Sequence, residues 1–471
     1  MRLFFVLLLI LSVSACHVPK APVASAPAVM PDSYGNTPKD SGQVIPGTGL
    51  FFNSAKLNAL LDTVINRNFD LAIAAQRMEW ASAQTRQASG ALLPQVNANV
   101  TPSLRRFGLY TMDGAGNIST FIEPNKIVPI NLPDYYIGAQ MSWEVDVWGK
   151  LKNRKKATLA RLLSTAEGRN LVLSDLIAVT ATEYYSLMAS DQYLKLLDQT
   201  IVLQEQALEL VKVQKQAAVV NELAVQQFEA QLLSMKSMRL NVIQEITDIE
   251  TRINILTGHF YGPVDRDTNF FSREALPVVQ AGVPSDLLRN RPDIRRAEAE
   301  LLAADADLKA ARAAFFPSLN ITGALGVQGY KTGLLFTLPE SLAYGLFAGV
   351  AAPLINRSYI KGEFSKAGAQ QQEALLLYRK SVVNGFSEVY REVRRISVLE
   401  SMYNLKQQEF RIQASSIDVS SELFRTGRAS YLEVLLARQN SLKANMELIN
   451  VRKNQFLSSI DLYRALGGGW R

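Results

Sequence analysis

The stretch RAAFFPSLNITGALGVQ, Arg312–Gln328, decides the fold because it begins as one kind of chain and ends as another. Up to Phe316 it is the end of an alanine- and charge-rich helix, and after Pro317 apolar residues fall on every second position, which is typical of a strand. GALLPQVNANV, Gly90–Val100, shows the same change at Pro94. Proline cannot continue a helix but is tolerated at the first position of a strand. Pro94 and Pro317 are therefore predicted to be helix-to-strand junctions.

Four segments alternate between an apolar and a polar face: about 95–101, 135–147, 318–328 and, less regularly, 342–355. Strands of about ten residues with one apolar and one polar face are typical of a transmembrane β-barrel with a wet lumen. A soluble antiparallel sheet with one face on a core is the alternative. The four segments form two hairpins between helices, and no other apolar layer remains to cover them, which favours the membrane.

The chain is internally duplicated. NFDLAIAAQRM from Asn68 matches RPDIRRAEAEL from Arg291 at an offset of 223, and AVVNELAVQQFEAQL from Ala218 matches GRASYLEVLLARQNSL from Gly427 at an offset of 209. The first copy therefore holds 14 more residues between these two matches, the difference between the offsets. The Gly-, Asn- and Pro-rich segment Thr111–Pro133 is the predicted place, as an exposed loop tip that tolerates insertion.

Each copy is predicted to run helix, strand, loop, strand, very long helix, tight turn and long helix. No proline occurs from Lys150 to about Gln216, and apolar residues recur every three to four positions; the same pattern runs from about Lys361 to Arg425. A helix of roughly 60 residues is about 90–100 Å long, deeper than a single globular core. The helices are therefore predicted to pack side by side as coiled-coil-like rods.

Four strands cannot close a barrel, because open sheet edges do not survive in lipid and the smallest barrels need about eight strands. Two, three or four copies of the chain would supply about 8, 12 or 16 strands, and only the larger numbers leave an aqueous lumen. The predicted fold is mostly α and internally duplicated, with four strands per chain in a membrane β-barrel. A trimer or a tetramer is favoured.

The N-terminus resembles that of a bacterial lipoprotein. Arg2 precedes the apolar run Leu3–Val13, which is too short to span a bilayer as a helix and has the length of a signal-peptide core. The small residues before Cys16 resemble a lipobox, in which the cysteine is lipidated; an ordinary signal peptide with a chance cysteine is the alternative. The Pro/Ala-rich segment after it reads as an extended tether. His17, rather than an aspartate, after the cysteine points to the outer membrane.

These observations divide the chain into five parts. The predicted boundaries are a signal peptide (1–15), a lipid-anchored tether (16–50), a first repeat (51–258, with a β-hairpin at about 95–147 and a helical hairpin at 150–256), a linker (259–284) and a second repeat (285–471, with a β-hairpin at about 318–355 and a helical hairpin at 361–466).

Composition and motifs speak against other functions. The net charge of +7 over 471 residues is weak evidence for nucleic acid, and no nucleic-acid motif accompanies it. Cys16 is the only cysteine, and His17 and His259 have no partner at metal-ligand spacing. No nucleophile motif or phosphate-binding loop occurs in the sequence. We therefore expect no enzyme activity, no metal site and no cofactor beyond a lipid on Cys16.

A cluster of basic residues follows the second strand. Contact with acidic groups at the inner surface of the membrane is one interpretation, and a solvated helix face is the commoner one. The cluster consists of Lys150, Lys152, Arg154, Lys155 and Lys156.

Several motifs together resemble the TolC-like outer-membrane efflux family, in its lipidated OprM/NodT branch, over nearly the whole mature chain. Besides the lipobox cysteine they are SWEVDVWGKLKN (Ser142–Asn153), RPDIRRAE (Arg291–Glu298), AFFPSLNITG (Ala314–Gly323), TGRASYLEVL (Thr426–Leu435) and LYRALGGGW (Leu462–Trp470).

The resemblance implies a homotrimer with a 12-stranded barrel in the outer membrane and a helical tunnel in the periplasm. It implies the exit duct of a tripartite export system, which docks with a periplasmic adaptor protein and an inner-membrane transporter of the resistance-nodulation-division type. The turns Gln216–Glu222 and Arg425–Tyr431 would form the closed periplasmic tip and meet the adaptor, although they are equally well explained as plain turns. The candidate contact residues are Ala218, Val219, Asn221, Gly427, Arg428 and Ser430.

The sequence departs from the family at the expected gate. Many relatives carry LDAQR just after the second turn, with its aspartate in a constricting ring, and this chain has Leu436 at the aspartate position. Glu433 and Arg438 are the candidates for a charged gate, and a ring of Leu436 side chains is the candidate for a hydrophobic gate that closes by dewetting. Ser430 and Glu433 also have the spacing of a capping box.

The sequence therefore predicts an outer-membrane channel that passively conducts small molecules or drugs from a pump and adaptor to the exterior. A type I secretion duct and a heavy-metal efflux channel share this outer component's shape and are alternatives within the class. A lipid-anchored periplasmic scaffold or adaptor is the alternative from a different class, and a monomeric, detergent-independent fold would favour it.

Overall fold

The computed structural model describes residues 31–34, 46–267, 276–277, 282–352 and 357–470. The predicted signal peptide, Cys16 and most of the tether lie outside these residues, as does the end of the fourth predicted strand at 353–355. The described chain forms two compact units. The sheet unit comprises Trp80–Leu162 and Ala299–Leu375, and the helical unit comprises the described part of Ala26–Glu79 with Leu163–Glu298 and Leu376–Arg471.

Most of the described residues are helical. The helices are α1 (Thr48–Phe51), α2 (Ala55–Arg67), α3 (Phe69–Gly90), α4 (Met112–Ser119), α5 (Lys150–Gln216), α6 (Glu222–Thr257), α7 (Leu287–Asn290), α8 (Pro292–Ala313), α9 (Arg357–Arg425) and α10 (Tyr431–Ala465), with short 3-10 turns at Pro284–Asp286 and Thr332–Leu334. The helices α5 and α9 have 67 and 69 residues, far above the usual length of about 11 residues.

The start of α5 shows why the helix begins directly after a strand. Asp146 follows the strand, and its carboxylate accepts hydrogen bonds from the backbone N–H groups of Leu151 at 2.9 Å and Lys152 at 2.8 Å. These N–H groups have no partner within the helix, so the carboxylate satisfies them and its charge complements the helix dipole.

The strands form one four-stranded antiparallel sheet in the order β1-β4-β5-β6, and a separate two-stranded hairpin of β2 and β3. Their bounds are β1 (Gln95–Arg106), β2 (Phe121–Glu123), β3 (Lys126–Ile127), β4 (Asn131–Val145), β5 (Ser318–Gly329) and β6 (Leu342–Ala351). Each predicted hairpin is present as an antiparallel pair, and β4 with β5 joins the two. Among the described strands, β1 and β6 therefore form the edges of the sheet.

The segment Thr111–Pro133 is more ordered than the predicted loop tip. It contains α4 and the β2–β3 hairpin, and its last residues already belong to β4. Thr111 explains the short helix, because its side chain accepts a hydrogen bond from the N–H of Gly114 at 3.1 Å and so caps the helix start.

The helical unit has its core between the long helices. Tyr184, Tyr185 and Phe456 are fully buried, and the ring of Tyr185 stacks on Phe456 at 4.5 Å between centroids. A second core joins α5, α6 and α10 and includes Phe228 and Leu435. Burial of one such aromatic or aliphatic side chain stabilises the fold by about 1.5–3 kcal/mol, so these two cores account for the side-by-side packing of the helices.

No helix among the described residues is both long enough and apolar enough to cross a membrane.

Candidate functional site

The register of the sheet places most of the large apolar residues of the four strands on one face, while Phe347 lies opposite Thr322 on the other face. Opposite residues share a face of a sheet. The rows Val100–Ile137–Val327–Leu342, Val96–Met141–Gly323–Leu346 and Val145–Leu319–Val350 follow from the pairing, with β1 absent from the last. The other face carries residues such as Asn97, Gln140 and Ala324, again directly opposite one another.

This apolar face is not covered by other described parts of the chain. Val100 is 72% exposed, Val350 is 71% exposed and Leu346 is 73% exposed. A soluble sheet would bury such side chains on a core, whereas a sheet in a bilayer exposes them to lipid. The exposed apolar face is therefore the surface that fits lipid, and the polar face fits a water-filled lumen.

Both candidate junction prolines stand immediately before a strand. Pro94 precedes β1 and Pro317 precedes β5. A tryptophan binds the chain beside each: the indole N–H of Trp143 donates to the carbonyl of Leu92 at 3.0 Å, and that of Trp148 donates to the carbonyl of Pro317 at 2.7 Å. Both carbonyls lie after the helix has ended, in the short segments that lead into β1 and β5, so these bonds fix the path of the chain from helix to strand.

The two candidate tip turns have the same backbone conformation. Ala218 and Gly427 adopt left-handed φ angles of +57° and +71°. In both turns that residue's N–H binds the carbonyl three residues back, at 3.0 Å, and the next N–H binds the carbonyl five residues back, at 2.9 and 2.8 Å. This is the Schellman motif, which ends a helix with a glycine where one is available. The first turn makes it with alanine.

The helices after these turns begin with different caps. The side chain of Asn221 accepts from the N–H of Ala224 at 3.1 Å at the start of α6. At the start of α10, the carboxylate of Glu433 accepts from the N–H of Ser430 at 2.8 Å, which forms the predicted capping box. The Glu433 carboxylate is thus engaged with its own helix.

The three gate candidates lie close together in sequence but point to different surroundings. Leu436 is 46% exposed between the buried residues Leu435 and Ala437. Arg438 turns toward α5, where its guanidinium donates to the carbonyl of Leu203 at 3.4 Å. Burial lowers the pKa of Arg438, and its Nε has no hydrogen-bond partner within the described chain. Leu436 and Glu433 are both exposed and Arg438 is half-buried, and of the two exposed residues only Glu433 is held by a hydrogen bond to its own helix start.

The remaining candidate tip residues are exposed. Val219 is 67% exposed, and Arg428 is exposed on the corresponding position of the second turn. Lys215 and Glu222 form an ion pair across the first turn. In the second turn, Arg425 pairs with Glu422 of the same helix instead, so the two turns present different charges with the same backbone.

Sequence reasoning missed two parts of this arrangement. The tryptophan bonds at the junctions carry no sequence signal beyond the nearness of Trp143 and Trp148 to a strand end. The inward turn of Arg438 depends on a carbonyl of α5, more than 200 residues earlier in the chain. Among the described residues, no three His, Cys, Asp or Glu side chains come together in an arrangement that could hold a metal ion.

A duplicated chain with two long helical hairpins and a sheet that is apolar on one face defines a class of protein, the outer-membrane channels. The chain belongs to the outer membrane efflux protein family, whose profile matches residues 60–259 and 283–468. These two matches correspond to the two copies inferred from the sequence.

Curated relatives lie in the same family. The chain is 27% identical over 465 residues to the pyoverdine export outer membrane protein OpmQ of Pseudomonas putida, covering 98% of this chain and 96% of the relative. It is 26% identical over 427 residues to the cation efflux system protein CusC of Escherichia coli, covering 90% of this chain and 88% of the relative.

Solved structures show the same fold. The open-state MtrE outer membrane channel of Neisseria gonorrhoeae has a TM-score of 0.82 at 23% identity, covering 96% of this chain and 98% of that chain. A crystal structure of CusC gives a TM-score of 0.82 at 24% identity, covering 95% of this chain and 99% of that chain. The predicted fold class, the family and the outer-membrane location are confirmed, and the chain is an efflux channel rather than an enzyme.

Proposed function

We propose that three copies of this chain form the outer-membrane exit duct of a tripartite export system. The observation that supports it is the uncovered apolar face of a sheet whose edge strands, β1 and β6, have one neighbour each among the described strands. In lipid those edges must be paired, and pairing β1 of one copy with β6 of the next closes a ring. Three copies give 12 strands, enough for an aqueous lumen.

Within this assembly, the chain hands substrates from an inner-membrane transporter, of the resistance-nodulation-division type, and a periplasmic adaptor to the exterior. The relatives' names describe the export of pyoverdine, toluene, solvents or cations by those proteins. These are mostly small molecules, which supports small-molecule or drug export over type I secretion for this chain. Heavy-metal export stays an alternative because of the likeness to CusC.

The first test is the mass of the mature protein in detergent, together with its single-channel conductance in a planar bilayer. A trimer that inserts and conducts supports the duct. A monomer that stays soluble without detergent and does not conduct contradicts it, and would return the sheet to the alternative of a lipid-anchored periplasmic scaffold.

The lipid on Cys16 is part of the proposal and has its own test. Mass spectrometry of the mature N-terminus should find acyl chains on Cys16 of the wild-type protein and none on Cys16→Ser. The variant should still conduct in a planar bilayer, because the proposed barrel and not the lipid spans the membrane. An unmodified Cys16 in the wild-type protein would favour an ordinary signal peptide.

A ring of Leu436 side chains is the proposed gate. The support is that Leu436 is exposed, while Glu433 is held by the capping box and Arg438 turns toward α5. Replacing an apolar constriction with a polar one removes the dewetting barrier, so Leu436→Ser should raise conductance severalfold. Leu240→Ser is the control, since Leu240 is a 64% exposed leucine on α6, well away from the turns. Equal conductance of both variants would contradict this gate and return Glu433 and Arg438 as candidates.

The exposed turn residues are the proposed adaptor contacts: Ala218, Val219, Asn221, Gly427, Arg428 and Ser430. The side chains of Val219 and Arg428 are exposed and form no hydrogen bond or ion pair within the described residues, so cysteine-specific crosslinking at these two positions is the direct test. Adaptor crosslinks at both, and none at exposed Arg77, would support the contact. Crosslinks at all three positions alike would contradict it.

A further inference from the structure

The start of α5 carries four cations without a carboxylate partner. Within the described residues, Lys152, Arg154, Lys155 and Lys156 form no ion pair, whereas Lys150 pairs with Glu144 and Arg161 with Asp307. Lys152, Arg154 and Lys156 are exposed. All four lie within about 10 Å of the start of the helix along its axis, since each helical residue adds about 1.5 Å. We call these four residues the basic cluster.

A cavity of about 280 Å³ lies beside the basic cluster in the sheet unit. Arg154 lines it together with Lys366 and Tyr359. Small apolar surfaces come from Ala310 and Ala311 of α8 and from Ala314, the residue just after that helix. Two carboxylates also line it, but Asp307 is paired with Arg161 and Glu363 lies 3.7 Å from Lys366. The cation of Arg154 is therefore the uncompensated charge of the cavity.

The chain passes from apolar to aromatic to basic residues over a short distance at the start of α5. The apolar face of the sheet ends in the row Val145–Leu319–Val350. Next comes the ring of Trp148, 51% exposed and stacked on Phe316 at 4.8 Å between centroids. The basic cluster follows within eight residues of Trp148. Acyl chains, an interfacial layer and a charged head group follow one another in the same order in a phospholipid, and tryptophan is enriched at that interface.

We propose that the basic cluster and its cavity bind an anionic phospholipid of the leaflet that faces the periplasm. The guanidinium of Arg154 binds the lipid phosphate at the cavity, because its planar fork fits phosphate oxygens with two hydrogen bonds. Lys152 and Lys156 add attraction to the surrounding negative surface. A cavity of 280 Å³ accommodates a head group and not a whole lipid, so the acyl chains lie outside it. The inference rests on the proposed function, which puts the sheet in the outer membrane.

The test counts lipids bound to the full-length protein in detergent by native mass spectrometry, with phosphatidylglycerol titrated against phosphatidylcholine. The triple variant Lys152→Gln, Arg154→Gln, Lys156→Gln removes three exposed charges. The control variant Arg77→Gln, Lys380→Gln, Arg411→Gln also removes three exposed basic side chains that form no ion pair within the described residues.

Wild-type protein should bind phosphatidylglycerol at least tenfold more tightly than phosphatidylcholine. In detergent no charged surface surrounds the bound lipid, so the loss comes mainly from the charge-assisted contact of Arg154 with the phosphate, and the triple variant should lose about tenfold in phosphatidylglycerol affinity. The control should lose less than about twofold. Equal binding of both lipids by the wild type, or an equal loss in both variants, overturns the inference.

Two further measurements separate the possible causes. Displacement of the bound lipid by millimolar glycerol phosphate would show that a free phosphate suffices, and would overturn a membrane lipid as the ligand. Single-channel conductance of the same samples separates this inference from the proposed function. Wild-type protein that conducts but shows no phosphatidylglycerol preference overturns the lipid site alone, whereas protein that does not insert overturns both.

Discussion

In the first repeat the side chain of Asn68 donates to the carbonyl of Leu256 at 3.0 Å, and in the second the side chain of Arg291 donates to the carbonyl of Ala465 at 2.7 Å. The four residues occupy matching positions at the offsets of 223 and 209. Each bond joins the residue before a helix, α3 or α8, to the end of a later helix, α6 or α10. Both repeats have thus kept a hydrogen bond from this position to the matching backbone carbonyl, although the donating side chain is a neutral amide in the first repeat and a cation in the second.

The change of residue has altered the surroundings. Arg291 has only 7% of its side chain exposed and pairs with Asp293 at 2.7 Å and Glu388 at 2.9 Å. Burial opposes its charge, but the two carboxylates outweigh burial and raise the pKa of Arg291. Asn68 instead caps α3 by accepting from the N–H of Asp70 at 2.8 Å. The side chain at this position is therefore held by an ion network in the second repeat, whereas in the first repeat it also caps a helix.

The largest effect should come from breaking the ion network. Arg291→Ala leaves two carboxylates and a carbonyl without their donor, so we expect a loss of about 3–5 kcal/mol in the free energy of unfolding. Asn68→Ala should lose only about 1–2 kcal/mol, as for other caps. Guanidinium chloride unfolding of the detergent-solubilised protein measures both.

Arg296→Ala is the control for that experiment, because Arg296 is exposed and forms no ion pair within the described residues. It should change stability by less than about 0.5 kcal/mol. Equal losses for Arg291→Ala and Asn68→Ala would show that the two repeats are held in the same way after all.

The next effect concerns the glycines that end α6 and α10. Gly258 and Gly467 match at the offset of 209 and have φ angles of +72° and +89°. A Cβ on Gly467 would lie 2.3 Å from the carbonyl oxygen of Asn290, whereas one on Gly258 would lie 3.2 Å from that of Arg67. Gly467→Ala should therefore cost about 3 kcal/mol, from left-handed strain plus a backbone clash, and Gly258→Ala about 1–2 kcal/mol from strain alone. The thermal unfolding midpoint of Gly467→Ala should therefore be lower than that of Gly258→Ala, and the reverse order would contradict this prediction.

A smaller and opposite pair of effects is expected at the tip turns. Ala218 has a left-handed backbone although it is not glycine, so Ala218→Gly should relieve about 1 kcal/mol of strain in the folded protein. Glycine also gives the unfolded chain more conformational entropy, so the net gain in stability should be somewhat smaller. Gly427→Ala should lower the free energy of unfolding by about 1 kcal/mol through the same left-handed strain. A clash adds nothing, because no atom lies within 4 Å of a Cβ built there. The same unfolding assay measures both changes. Destabilisation by both substitutions would mean that the two turns are less alike than their hydrogen bonds indicate.

The smallest effect is an electrostatic difference inside the matching helices. In the first repeat Glu183 pairs with Arg252 at 2.9 Å. The matching positions in the second repeat hold Glu392 and Asp461, and Glu392 is instead bound by Arg391 at 2.9 Å. Burial, and then the charge of Glu392, raise the pKa of Asp461.

The folded protein holds the Asp461 proton more tightly than the unfolded chain does. The stability that protonated Asp461 contributes is therefore fully present below the unfolded pKa of about 3.9. It is lost as the pH rises through the higher pKa of the folded protein. Asp461→Asn should therefore raise the Tm at pH 7 by no more than about 2 °C, because the side chain is partly exposed. The gain should shrink toward pH 4. An equal gain at both pH values would assign the effect to packing instead of charge.

The parts of the fold that depend on local chemistry were predictable from the sequence. The two prolines mark where helix gives way to strand, and the offset of 209 maps α5 and α6 onto α9 and α10. The apolar face of the sheet followed from alternation in three of the strands. In β6 the alternation is broken by Phe347, which lies opposite Thr322 on the other face, so only pairing with β5 shows that Tyr344, Leu346 and Val350 share the apolar face.

The candidate gate was less predictable because it depends on packing. The spacing of Ser430 and Glu433 predicted a capping box and the position of Glu433 suggested a gate, but its carboxylate is already engaged with the N–H of Ser430. The direction of Arg438 follows from the position of α5 beside α10, which no local pattern contains. Long-range contacts of this kind decide which of several nearby charged residues remains open to a partner.

The two edge strands of the sheet have a consequence for genetics. In the proposed ring β1 of one copy pairs with β6 of the next, so a defect at either edge would harm the adjoining copies as well as the chain that carries it. A variant that folds but cannot pair one edge should be dominant over the normal allele when both are expressed, since one faulty copy spoils a whole ring. A variant that fails to fold never joins a ring and should be recessive. Allele dominance thereby becomes a readout of where in the chain a lesion acts.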